Sequence, residues 1–146
     1  MDQAPPLPQA VFDKMMERDH FSKWLGLELL EIQTGYCRLR MAVRAEMLNG
    51  FGILHGGVGY AMADSAFAFA SNSHGRISVS LSATASYPNA AHLGDTLLAE
   101  ATELHLGNRT ATYDIRVSKQ DGAPVCLFRG TVFRTEKQVL GEGLSV

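Results

Sequence analysis

Asn49, His55, Gly56, Gly57 and Asp64 fall within one short stretch of the chain. In that order these residue types suit the attack of water on a polarised carbonyl. A helix starting at the glycines would offer free backbone N–H groups and a partial positive charge to a developing oxyanion. Asp64 is the only Asp, Glu, Lys or Arg between Met47 and Gly75. A carboxylate on so apolar a helix is expensive to bury. Partly removed from water it holds its proton more tightly and becomes a better base. That makes Asp64 a candidate catalytic carboxylate rather than a surface residue. The others have plainer readings beside the catalytic one. His55 could simply cap the helix, Asn49 could be a turn residue, and the glycines could serve tight packing.

These residues need a scaffold, and its elements are legible. Val11 to Trp24 carries Phe12, Met15, Met16 and Phe21 among charged residues, which predicts one amphipathic helix. Leu27–Ile32 and Tyr36–Val43 read as strands on either side of Thr34-Gly35, and Arg44–Leu54 as a loop. The central helix is expected from about Gly56 to Ser73, stopped by Gly75, and buried on most sides because it is apolar nearly all round. Its stripe of Gly59, Ala63, Ala66 and Ala70 lets a neighbour approach closely. From Arg76 to Tyr87 apolar and small polar residues alternate strictly, the signature of a strand. Thr96–Leu106, Arg109–Ser118 and Pro124–Thr135 complete the strands. Gly107-Asn108 is read as a two-residue hairpin turn and Gln120-Asp121-Gly122 as the next turn. Helices early and strands late predict an α+β fold with an antiparallel sheet curved around one long helix.

Composition narrows the function. The chain has 146 residues, 46% hydrophobic and 19% charged, with a formal net charge of −2. It is expected to form a single domain over 1–146, with a core at about 12–135 and flexible ends. The charge argues against nucleic acid as a partner. No basic cluster precedes an apolar stretch near Met1, and the apolar run of the central helix is short and contains Asp64. A cytoplasmic protein with no membrane partner is therefore expected. Cys37 and Cys126 read as buried thiols in strands. There is no clustered Cys/His set for a metal, no Gly-x-Ser-x-Gly elbow, and no cofactor is called for. His20, His74, His92 and His105 lack matching partners and are read as non-catalytic.

The segments Met47-Leu48-Asn49-Gly50, Leu54-His55-Gly56-Gly57 and Ala63-Asp64 resemble the acyl-CoA thioesterases of the hotdog fold, over about residues 12–135. Ala66–Ser73 and Leu127-Phe128-Arg129-Gly130 are similar to the PaaI-like members, the phenylacetate-pathway thioesterases. The resemblance implies that the Gly56 N–H polarises the thioester carbonyl and that Asp64 acts as general base or nucleophile. It implies that Asn49 and His55 position water and thioester. A serine on the following strand orients water in some relatives; Ser80 fits, and Ser82, read as sharing its face, is the alternative. Gly57, Tyr60, Phe67 and Arg109 are candidate substrate contacts. Tyr60 and Phe67 lie one turn either side of Asp64, with core packing as the competing role. Arg109 would meet a CoA phosphate unless it is only a solvated turn residue.

The expected activity is hydrolysis of an aryl-acyl-CoA, phenylacetyl-CoA or a ring-hydroxylated relative, by a homodimer that assembles into a homotetramer. Gly56 and Asp64 are eight residues apart, about 12 Å along a helix axis. One helix therefore cannot easily supply both groups to one thioester, whereas two antiparallel helices across a two-fold axis could. The competing classes are a hotdog acyl-CoA hydratase or dehydratase and a non-catalytic acyl-CoA-binding module.

Overall fold

The computed structural model describes residues 3–142. Helix α1 (Leu7–Met16) and the short helix α2 (His20–Leu25) lead into strands β1 (Glu28–Gln33) and β2 (Tyr36–Ala42). A 3-10 turn (Ala45–Met47) follows, then the long helix α3 (Gly56–Asn72). Strands β3 (Arg76–Ser86), β4 (Thr96–Leu106), β5 (Thr110–Lys119) and β6 (Pro124–Gln138) end the chain's regular structure. The six strands form one sheet in the order β1-β2-β4-β5-β6-β3, antiparallel throughout. α3 lies across it and touches every strand. This is the α+β arrangement that the alternation and the apolar helix predict.

The core is the interface between α3 and one face of the sheet. Met62, Ala63, Ala66, Phe67, Phe69 and Ala70 of the helix meet inward residues such as Leu39, Leu97, Tyr113, Ile115, Phe128 and Val132. Side chains directly opposite in an antiparallel pair share a face, and β2, β4, β5 and most of β6 bury alternate residues against the helix. The small stripe Gly59, Ala63, Ala66 and Ala70 is buried as expected. Gly130 on β6 has a definite steric reason: a Cβ there would sit 2.6 Å from the Phe67 ring. Phe67, only 1% exposed, fills that space and packs edge-on against Tyr113.

Several expectations need correction. The single helix over Val11–Trp24 is two. Asp19 interrupts it, because its carboxylate accepts from the Ser22 N–H (2.9 Å) and the Ser22 hydroxyl (2.7 Å) and so caps a new helix. α1 also begins earlier, at Leu7, inside the proline-rich stretch read as loose. Proline's fixed φ suits a first helical turn, where its missing N–H is not needed. Regular structure thus reaches from Leu7 to Gln138, wider than 12–135. Residues 1–2 and 143–146 of the expected flexible ends lie outside the described residues. The β4–β5 turn is Asn108-Arg109, one residue later than read, since Gly107 N–H still pairs with Thr110 O at 2.8 Å. As expected, α3 is buried on most sides, and one narrow strip is left open. Gly57, Tyr60 and Asp64 form that strip, with Ala61 and Ala68 half-buried beside them.

Cys37 and Cys126 are free and buried. Burial pushes their thiols up to about 12 and about 11 respectively, which leaves both protonated and inert. Among the described residues no helix is long and apolar enough to cross a membrane.

Candidate active site

The start of α3 is built to leave one backbone donor free. His55 is the N-cap, in extended backbone (φ −62°, ψ 132°), and its Nδ1 accepts the Gly57 N–H at 2.8 Å. An accepting Nδ1 carries no proton, so the proton of a neutral ring sits on Nε2. The Val58 N–H donates to His55 O at 2.9 Å. The Gly56 N–H has no acceptor among the described residues. It points with the helix dipole toward whatever binds there. Gly57, read as a substrate contact, has its own N–H occupied by the cap.

Asn49 holds the loop before the helix. Its Oδ1 accepts from the Phe51 N–H (2.9 Å) and Ile53 N–H (3.4 Å), and its backbone closes the turn with Ile53 and Gly52. It is a turn residue, as the plainer reading has it. Its amide Nδ2 has no partner among the described residues, and the side chain still lines the site. A cavity of about 360 Å³ opens here, bounded by Asn49, Leu54, His55, Gly56, Gly59 and Tyr87 among others. Three of the expected residues, Asn49, His55 and Gly56, thus converge. Tyr87 was not foreseen. It follows β3, 31 residues beyond Gly56, and nothing local in the sequence announces that the strand's end meets the helix's beginning.

Asp64 does not reach this cavity. It stands on the exposed strip of α3 and accepts no hydrogen bond from any described residue. The packing around it still strips away enough water to raise its carboxyl from the usual value, and Asp19 at the N-cap of α2 adds like-charge repulsion. α2 is held there by the Ser22 and Ser65 hydroxyls, 2.8 Å apart and buried. Asp19 is thus a second unforeseen residue, announced in the sequence only by its capping pattern.

The remaining candidates separate. Ser80 is paired with Val132 and faces the helix side of the sheet, whereas Ser82 is paired with Thr131 and faces away. A bulge at Leu81 breaks the alternation, so the two serines do not share a face. Neither lines the cavity. Tyr60 is partly exposed on the strip with Asp64, edge-on to Phe128 at 5.1 Å. Phe67 is a core residue instead of a pocket wall, since its ring is enclosed by the sheet. Arg109 sits in the β4–β5 turn, next to Asn108, whose side chain accepts from Arg76 at the other end of α3. It does not approach Gly56 within the protomer. A larger cavity, about 660 Å³, lies over Thr84, Glu100, Asp114, Arg116 and Arg129. These side chains belong to the sheet face turned away from α3, remote from these groups. Among the described residues no three His, Cys, Asp or Glu side chains cluster as a metal site would require.

An antiparallel sheet crossed by one apolar helix, with a free N–H at the helix start and a carboxylate farther along it, defines the class: this chain belongs to the thioesterase superfamily, whose family model matches residues 51–126. Within it the chain is a PaaI-like hotdog thioesterase. The acyl-coenzyme A thioesterase PaaI of Escherichia coli K12 is 38% identical over 128 residues, spanning 88% of this chain and 91% of the relative. The structure of the E. coli PaaI protein from the phenylacetic acid degradation operon superposes with a TM-score of 0.86 at 36% identity, covering 90% of this chain and 98% of that one. A mutant of the phenylacetic acid degradation protein PaaI from Thermus thermophilus gives 0.77 at 44% identity, over 80% and 100%. A Streptococcus mutans protein, smu.793, bound to acetyl CoA, gives 0.75 at 28% identity, over 77% and 90%.

Proposed function

We propose that the protein hydrolyses aryl-acyl-CoA thioesters, phenylacetyl-CoA or a ring-hydroxylated relative, to the free acid and CoA. The observation that carries this is the split between the two halves of its chemistry. The unpaired Gly56 N–H opens into a cavity with Asn49 and His55, while the unbonded carboxylate of Asp64 stands about 12 Å along the same helix. A second copy related by a two-fold axis, with its α3 antiparallel, sets Asp64 of one chain opposite Gly56 of the other and completes two equivalent sites. The exposed strip of α3 supports this reading, because an otherwise apolar helix face is left open. So does β3, an eleven-residue strand paired on one edge only. Long open edges are normally covered.

In the completed site the thioester carbonyl oxygen lies on the Gly56 N–H, with Asn49 and His55 beside it. Asp64 of the partner subunit removes a proton from water as the water oxygen attacks the carbonyl carbon. The tetrahedral oxyanion then collapses, the C–S bond breaks, and CoA leaves as the thiolate, which takes up a proton. The raised proton affinity of Asp64 suits the base role. Direct attack by the Asp64 carboxylate is the variant of this scheme, and single-turnover hydrolysis in labelled water separates the two by whether the label enters Asp64. Ser80 on the helix side of β3 orients the water; Ser82 has no part. The aryl preference rests on Tyr60 and on the PaaI relatives. A cytoplasmic homotetramer, a pair of such dimers, is part of the same proposal.

Thiol release from a panel of aryl- and alkyl-CoA esters tests the reaction. Higher kcat/KM for aryl esters is expected. A panel led by saturated fatty acyl-CoA would sink the aryl assignment, and a panel without thiol release would sink the hydrolase. Sharing is tested by mixing Asp64→Asn subunits with Gly56→Pro subunits. Proline is well tolerated at the first helical position, and the extended backbone of His55 is what a following proline requires, so this change removes the donor and keeps the helix. Half of randomly paired dimers are mixed and each has one intact site, so activity returns to about a quarter of wild type. Verified mixed dimers that stay inactive would refute the shared site.

A further inference from the structure

The ring of Tyr87 lies along the first turn of α3, where its Cε1 and Cζ are 3.6 Å, and its hydroxyl 3.9 Å, from the position a Cβ on Gly56 would take. The same ring edge is 4.0 Å from the corresponding position on Gly59. These distances are ordinary van der Waals contact, and the φ of Gly56 is not in the left-handed region. Alanine would therefore fit at Gly56 without strain, so packing alone does not demand glycine there. The missing Cβ leaves a methyl-sized gap between Gly56 and the Tyr87 ring, and both residues line the cavity that Asn49 and His55 also line. The Tyr87 hydroxyl bonds to no described residue, and the side chain is 49% exposed. Partial burial, with Cys126 and Tyr60 nearby, raises the phenol above its usual value, so it remains a proton donor.

From this geometry we propose that Tyr87 is a catalytic residue that donates a second hydrogen bond to the thioester carbonyl oxygen, pairing with the Gly56 N–H as a two-donor oxyanion site. The proposal rests on the thioesterase reading above and adds a residue to it. Two preorganised donors hold an oxyanion better than one, and their advantage grows as charge develops on the oxygen. The effect should therefore fall on kcat rather than on KM.

Tyr87→Phe keeps the ring that covers Gly56 and Gly59 and removes only the donor. With the best ester of the panel it should lower kcat at least about tenfold, while KM stays within about twofold. A structural role could also lower kcat, so a second readout is needed. Infrared spectra of carbonyl-13C acyl-CoA bound to Asp64→Asn, in which turnover should be at least about a hundredfold slower, report hydrogen bonding at the carbonyl directly. The carbonyl stretch should move to higher frequency in Asp64→Asn/Tyr87→Phe, because one donor is gone. An unchanged kcat, a change confined to KM, or a lowered kcat with an unmoved carbonyl band would each overturn the assignment and leave the hydrolase reading intact. If wild type releases no thiol but the bound carbonyl still shifts on Tyr87→Phe, the hydrolase reading fails and the contact stands. No bound carbonyl signal with any ester overturns both.

Discussion

The two ends of α3 follow opposite rules. At its C-terminal end every prominent polar side chain is spoken for. The Asn72 amide donates to Ala68 O (2.8 Å) and Ser78 O (3.1 Å), and its Oδ1 accepts the Ser78 N–H (2.9 Å). The Ser73 hydroxyl donates to Ala70 O and accepts the Gly35 N–H. Glu103 accepts from His74 (2.7 Å) and from the Tyr113 hydroxyl (2.6 Å). At the N-terminal end the Gly56 N–H, the Asn49 amide, His55 Nε2 and the Tyr87 hydroxyl all lack partners among the described residues. The bonds at the closed end spare buried polar groups the cost of going unpaired, whereas the open-end groups are exposed or half-buried and stay available to a ligand. The same helix thus separates structural polarity from chemical polarity along its length.

Substitutions at the two ends should then break different things. The largest effect belongs to the open end. Gly56→Pro and Asp64→Asn should each lower kcat at least about a hundredfold, with little change in the urea midpoint of unfolding; near-wild-type turnover in either would end the proposed division. At the closed end Asn72→Ala leaves the Ser78 N–H and C=O buried without partners. It should cost about 3 kcal/mol in equilibrium unfolding, while kcat per folded molecule holds.

A smaller effect separates the ends by pH. Burial alone would raise Glu103, but the bonds from Tyr113 and His74 outweigh it and hold the carboxyl below its usual value. A depressed carboxyl contributes stability above its unfolded pKa of about 4.3, and that contribution is lost as pH falls through the lower folded value. Glu103→Gln should therefore lower stability at neutral pH and flatten its decline in acid, measured by denaturation across that range. The smallest expected change is at Asp19. Asparagine caps a helix as well as aspartate does, so Asp19→Asn keeps α2 and removes only the negative charge beside Asp64. The proposed base must be ionised to work. The acid limb of the kcat profile should move to lower pH in Asp19→Asn, and a limb that stays in place would detach Asp19 from Asp64.

Most of the scaffold was legible because its signals are local. The alternation over Arg76–Tyr87 and the apolar run over Gly56–Ser73 set their elements within a residue or two of the observed ends. The candidate set Asn49, His55 and Gly56 came from spacing, and the structure gathers them around one cavity. What escaped depends on partners distant in sequence. The bulge that turns Ser82 away from Ser80 is imposed by pairing with β6. Phe67 reads as one more aromatic near Asp64 until Gly130, 63 residues later, shows where its ring goes. Tyr87 belongs to the site only because β3 ends where α3 begins.

The seat that Gly130 makes for Phe67 has a consequence for tolerance. An apolar helix lying on an apolar sheet could settle at several axial offsets, since methyls and methylenes discriminate weakly between neighbouring registers. A ring sunk where β6 has no side chain keys α3 at one offset, and Asp64 is three residues from that ring. Gly130→Ala would ask the ring to move, and with it the spacing at which two such helices could present their groups to each other. A methyl group on the sheet would then act as a misalignment at a catalytic centre it never touches.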